Sequence, residues 1–139
     1  MENKEKMYHI NLSKKDIEGV KIAILPGDPG RVGSIAKYLE NPKKISQNRE
    51  YTAYLGNLKD KKVLIISTGM GGPSTAICVE ELAQIGITHL IRVGTSGGMQ
   101  LEVSAGDVVI ATSAIRQEGT SKEYAPVEFP AVSDFRITN

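Results

Sequence analysis

Three short aliphatic runs each end in a cluster of glycines, and arginines accompany two of them. Residues 20–25 lead into Pro26-Gly27-Asp28-Pro29-Gly30-Arg31, and residues 63–66 lead toward Gly69-Met70-Gly71-Gly72-Pro73-Ser74. His89-Leu90-Ile91-Arg92-Val93 leads into Gly94-Thr95-Ser96-Gly97-Gly98. Glycine turns let backbone N–H groups approach an oxyanion, and the N-terminus of a following helix adds partial positive charge. Any one of these clusters alone is as readily a plain tight turn. The arginines shift that balance. Arg31 falls in the first turn of an expected helix, where the macrodipole disfavours a cation by about 0.3–1 kcal/mol unless an anion lies nearby. Arg92 stands in an apolar strand, where a guanidinium must be paired or face a polar cavity. An ion pair with Glu80 or Glu81 is one way to satisfy it. The other is that Arg31 and Arg92 clamp a dianion, with Gly27 and Thr95 adding backbone and hydroxyl donors, because the planar fork of arginine matches phosphate oxygens. No run fits G-x-G-x-x-G or the Walker pattern, so dinucleotide and nucleoside triphosphate sites lose their usual support.

Positioning such residues calls for strands that share a direction. The first run is a strand entering a turn, and a helix follows in which Val32, Ile35, Ala36 and Leu39 recur at i, i+3, i+4 and i+7. Asp28 is its expected N-cap, Pro29 suits the first turn, and Asn41-Pro42 is the expected stop. Residues 50–58 and 63–68 read as a hairpin over Lys59-Asp60-Lys61-Lys62. A helix over Thr75–Ile85 closes at Gly86, residues 89–93 form a third strand with the glycine-turn pattern, and residues 108–115 a fourth. This alternation predicts an α/β fold with a mostly parallel, mixed central sheet flanked by helices, and ligands bind such sheets outside the carboxyl ends of the strands. Residues 117–139 are polar, carry Pro126 and Pro130, and show no closing element.

Composition excludes several classes. In 139 residues, 17 basic and 16 acidic side chains are scattered along the chain for a net charge of +1, which asks for neither nucleic acid nor a membrane surface. The single cysteine, Cys78, lies in an apolar run; it is an expected core residue, excludes an internal disulfide and suits a reducing compartment. The opening MENKEKMYHI is polar, and no segment approaches 18 consecutive apolar residues. A cytoplasmic protein is expected. His9 and His89 are far apart, so no metal-ligand spacing is present and a metal-free site is the default.

Four motifs in order, Leu25-Pro26-Gly27-Asp28-Pro29-Gly30-Arg31, Asn48-Arg49-Glu50-Tyr51, Ser67-Thr68-Gly69-Met70-Gly71-Gly72-Pro73-Ser74 and Ile91-Arg92-Val93-Gly94-Thr95-Ser96-Gly97, resemble the nucleoside phosphorylase family. The third motif, Gly94-Thr95 and the run Ala125-Pro126-Val127-Glu128-Phe129-Pro130-Ala131-Val132 favour its uridine-cleaving members over the hexameric purine enzymes. The resemblance covers essentially all of residues 1–139 as one phosphorylase domain, matching about the first half of a family member, so that a C-terminally truncated, incomplete phosphorylase-type sandwich is expected. It implies phosphorolysis of uridine to uracil and ribose 1-phosphate, impaired in a chain of this length, with inorganic phosphate as co-substrate and nucleophile. Gly27, Arg31, Arg92 and Thr95 match phosphate ligands, with Arg92 and Thr95 at the reacting centre and Thr95 also reaching the ribose. Arg49 matches an arginine inserted from a neighbouring subunit, and His9 a histidine that crosses the dimer interface to the ribose. Glu50, Met70 (through its carbonyl) and Ser74 match positions that hold a monovalent cation, potassium, between subunits. A dimer-based homo-oligomer, a hexamer in the family, is implied. The competing readings are a purine nucleoside phosphorylase, a nucleosidase using water, which would leave the three arginines without a purpose, and a non-catalytic phosphate-binding or oligomerising fragment.

Overall fold

The computed structural model describes residues 6–139; residues 1–5 of the polar opening lie outside the described residues. The chain divides into two compact units, Met1–Gly94 and Thr95–Asn139. In the first, five strands form one mixed sheet: β1 (Ile22–Leu25), β2 (Glu40–Asn48), β3 (Tyr51–Leu58), β4 (Lys61–Ile66) and β5 (His89–Arg92), in the order β2-β3-β4-β1-β5. β1 runs parallel to both neighbours, with Ala23 opposite Leu64 on one side and Leu90 on the other. β2, β3 and β4 make an antiparallel meander. The expected mixed α/β sheet is therefore present.

Alternation along β1 and β4 sends side chains to two faces, each covered by one helix. Ala23, Leu25, Leu64 and Ile66 pack in a cluster with Cys78, Leu82 and Ile85 of α2 (Gly72–Ile85) and with Ile10, Leu12 and Ile17 of the N-terminal segment. Ile22, Ile24, Val63 and Ile65 meet Val32 and Ala36 of α1 (Pro29–Ala36). The caps follow the sequence: the Asp28 side chain accepts the Gly30 N–H at 2.7 Å, Pro29 is the first helical residue, and Gly86 ends α2 at φ 103°. Cys78 is fully buried, as expected.

Three expectations are corrected. The helix after β1 stops at Ala36 rather than at Asn41-Pro42, and Glu40–Asn48 becomes the edge strand β2. Only Ser46 of its nine residues is buried, so no apolar alternation marked it; Pro42 is tolerated because an edge strand has ladder positions to spare. The hairpin loop is tighter than expected, since β4 begins at Lys61 and Lys59-Asp60 alone connect it to β3. The fourth strand over residues 108–115 reduces to β6 (Ser113–Ala114), which belongs to the second unit and pairs antiparallel with β7 (Ala131–Val132). Val108, Val109 and Ile110 are exposed there, so their apolar character is not matched by a packing partner.

The second unit also holds two short helices, α3 (Thr120–Tyr124) and α4 (Phe135–Thr138). Arg116 organises it by donating to the carbonyls of Ser121, Ala125, Pro126 and Phe129, with the Ser121 hydroxyl as a fifth acceptor. Among the described residues no helix is long and apolar enough to cross a membrane.

Candidate anion-binding site

β4, β1 and β5 are adjacent and parallel, so their carboxyl ends lie on one edge of the sheet, and all three glycine turns begin there. Pairing continues past the strand ends. Thr68 N–H donates to Pro26 O at 2.9 Å and Val93 N–H to Leu25 O at 3.1 Å. This edge also receives the N-terminus of α1, whose first turn carries Gly30 and Arg31 and no acidic side chain.

Arg92, the last residue of β5, sends its guanidinium across this edge. Nη1 donates to Leu25 O at 3.2 Å and to Val93 O. A Cβ added to Gly27 would stand 3.1 Å from Nη2, and one added to Gly94 would stand 2.9 Å from Nη1. The two glycines thus make room for the guanidinium from either side. β5 is less buried than its apolar composition suggests, since all four of its residues, Arg92 included, are exposed. The ion pair with Glu80 or Glu81 is absent: none of Arg31, Arg49 and Arg92 pairs with a carboxylate among the described residues. Arg31 is half-buried in the first turn of α1. Thr95 is exposed and opens the second unit, directly after Gly94.

Arg49 and His9 form a second group. Arg49 occupies the β2–β3 turn with φ 52°, and its guanidinium lies 5.6 Å from the centre of the Tyr8 ring, a cation–π distance. The neighbouring Asn48 side-chain amide donates to His9 O at 2.7 Å and to Tyr8 O at 3.3 Å. His9 is anchored from the other side by Glu81 of α2, whose carboxylate accepts from His9 Nδ1 at 2.6 Å, from His9 N–H at 3.1 Å and from Ile10 N–H at 2.8 Å. Burial alone pushes the Glu81 carboxyl up, but the hydrogen bonds from Ile10 and His9 outweigh it and hold the group below its ordinary value. His9 is therefore not a side chain adrift in a tail. Nothing in residue type or spacing marked the Glu81–His9 contact, which joins positions 72 apart.

A third group surrounds Gly69. A side chain there would meet Glu50 Cγ at 2.6 Å and Ser74 Oγ at 3.2 Å. Ser74 Oγ donates to Met70 O at 2.9 Å, and the Tyr51 hydroxyl donates to Ser74 O at 2.9 Å. Burial, and then the Glu50 charge, raise the Tyr51 hydroxyl well above its ordinary value, so it stays a donor. Ser67 Oγ ties this group to the sheet, donating to Glu50 O at 2.6 Å and accepting Thr52 N–H at 2.8 Å. Glu50, Met70 O and Ser74 offer only oxygens, a donor set suited to a hard cation rather than a transition metal. No group of three His, Cys, Asp or Glu side chains able to hold a metal occurs among the described residues.

The edge of parallel strand ends, with its glycine turns and an arginine that no carboxylate pairs with among the described residues, belongs to a mixed α/β fold. Residues 21–139 match the phosphorylase superfamily, and the chain belongs to that family. It is 60% identical over 131 residues to a uridine phosphorylase of Treponema pallidum, a match covering 94% of this chain and 50% of the relative. To a uridine phosphorylase of Escherichia coli it is 46% identical, over 98% of this chain and 54% of the relative. A guanosine phosphorylase of Halorubrum lacusprofundi is 44% identical over 94% of this chain and 53% of its own length. The chain spans about half the length of these relatives.

Proposed function

We propose that the chain carries the phosphate-binding part of a nucleoside phosphorylase that converts uridine and inorganic phosphate to uracil and ribose 1-phosphate. One observation supports this most: the Arg92 guanidinium lies between Gly27 and Gly94 at the carboxyl edge of three parallel strands, with no carboxylate paired to it among the described residues. Gly27, Arg31, Arg92 and Thr95 bind phosphate, and Arg92 and Thr95 hold it for attack on the anomeric carbon as the bond to the base opens. The transition state is oxocarbenium-like, as in glycoside cleavage. Phosphate is the nucleophile, so the protein supplies orientation and fixed positive charge rather than a nucleophilic side chain.

His9 and Arg49, gathered in one patch around Tyr8, reach toward the site of a second copy in a dimer-based assembly, His9 to ribose and Arg49 to phosphate. Thr95 also contacts the ribose. Glu50, the Met70 carbonyl and Ser74 hold a monovalent cation such as potassium where copies meet. The buried thiol of Cys78, pushed up to about 12 by burial first and then by the Glu81 and Glu50 charges, suits a protein kept in the reducing cytoplasm.

A second reading, phosphorolysis of a purine nucleoside, is favoured by the guanosine phosphorylase relative, whose identity is close to that of the Escherichia coli uridine enzyme. Base release from uridine and from guanosine by a protein carrying this chain, with and without phosphate, tests both. Phosphate-dependent uracil release is expected. Release at the same rate in water alone would make the protein a nucleosidase, and phosphate binding with no release of either base would make it a non-catalytic binding module.

A further inference from the structure

We propose that Glu81 is a positioning residue: it holds His9 as the Nδ1–H tautomer and so presents Nε2 as a bare acceptor to a hydroxyl donor. An ionised carboxylate can only accept hydrogen bonds, and a neutral imidazole carries one N–H and one lone pair. The nitrogen 2.6 Å from Glu81 Oε1 must therefore hold the proton, which leaves the lone pair on Nε2. No partner for Nε2 occurs among the described residues, and the imidazole is one-third exposed, so a ligand can reach it. Position is fixed as firmly as protonation. The same carboxylate accepts the backbone N–H of His9 and of Ile10. Ser46 Oγ of β2 donates to Ile10 O at 2.9 Å, and Asn48 donates to His9 O. The histidine segment is thus stapled to α2 through one buried carboxylate and to β2 through Asn48 and Ser46, and what remains open is the edge of the ring opposite Glu81.

The class of ligand, a sugar hydroxyl, rests on the reading of His9 as a ribose contact; the tautomer does not. Glu81→Gln separates the roles. With a single acceptor oxygen, the glutamine must spend it on the buried Ile10 N–H, which lies 2.8 Å from Oε2. Its NH2 then stands where Oε1 stood, facing Nδ1, and a donor there demands a bare Nδ1 and a protonated Nε2. Glu81→Gln should invert the tautomer.

The experiment is nitrogen-15 NMR of the imidazoles in the 139-residue chain near pH 8.5, about two units above the ordinary histidine value. With two histidines in the sequence, a His89→Gln sample assigns the signals. The expected result is a protonated Nδ1 and a bare Nε2 for His9 in the native chain, and the reverse in Glu81→Gln with His89 unchanged. A protonated Nε2 in the native chain overturns the proposal whatever the variant does, and so does a folded variant with the native tautomer. Adding uridine with phosphate to a full-length protein carrying this chain reports separately on the sugar reading. A shift at His9 Nε2 supports it, whereas no shift with the Nδ1–H tautomer intact removes the ribose contact and leaves the role of Glu81 standing.

Discussion

Gly27→Ala tests the arginine-centred site without touching a charge. The new Cβ would lie 3.1 Å from Arg92 Nη2 and 3.5 Å from Gly69 O, against an ordinary contact of 3.4–4 Å. The carbonyl can stay where it is. The guanidinium must retreat by a few tenths of an ångström, and it is the tip of a flexible chain held through Nη1 to two carbonyls. Gly27 does not have a left-handed φ, so alanine suits the backbone. Stability should therefore change by no more than about 0.5 kcal/mol. Phosphate binding should change far more, because losing one charge-assisted hydrogen bond costs about 1.5–3 kcal/mol, which is about a 10- to 150-fold rise in Kd. Gly94→Ala, with its Cβ 2.9 Å from Nη1, pushes from the other side and should act in the same direction. Calorimetric titration with inorganic phosphate, with Tm measured on the same samples, reads both quantities. Unchanged phosphate affinity in both variants with an unchanged Tm would refute the placement of the anion beside Arg92.

Two further outcomes follow from the packing. The Glu81 carboxyl lies below its ordinary 4.5, and that of Asp16 lies below 3.8 because the Ser13 hydroxyl and N–H, with Lys6, outweigh its burial. The unfolded chain then binds more protons, so this stability is complete above those ordinary values and is lost as pH falls through the lower folded ones; urea midpoints taken from pH 6 down to pH 3 should fall, less steeply for Glu81→Gln, and a flat profile would contradict the carboxylate's role. Ser67→Ala should cost about 1–3 kcal/mol, because the buried Thr52 N–H loses its acceptor; a urea midpoint equal to that of the native chain would show that this hydroxyl does not hold the Glu50 turn.

What could be read from the sequence, and what could not, divides along physical lines. β1 and β4 are short aliphatic runs and α2 closes at Gly86, so the type of each element and the end of α2 were legible, whereas the starts of β4 and α2 were not. β2 was not, because an edge strand exposed over most of its length needs no apolar residues and Glu40–Asn48 has few. The run 108–115 misled for the opposite reason: Val108, Val109 and Ile110 look like a buried strand and stand exposed. At the site, the pairing of Arg92 with the glycine turns was visible because all three turns follow strands, and parallel order brings those ends to one edge. Its ion-pair alternative failed on a contact no spacing reveals, since Glu81 is engaged by His9 and Ile10. Tyr8 beneath Arg49 and Asn48 on His9 were equally hidden, being contacts between residues about 40 apart.

The most direct measurement of the central claim is a phosphate titration of the 139-residue chain followed by NMR at its backbone amides and arginine side chains, at constant ionic strength, with chloride as the competing anion. Saturable shifts at Gly27, Arg31 and the Arg92 guanidinium, lost in Arg92→Ala and not reproduced by chloride, are the expected result. Shifts that never saturate, or that persist in Arg92→Ala, would contradict a phosphate site at the carboxyl edge of the sheet.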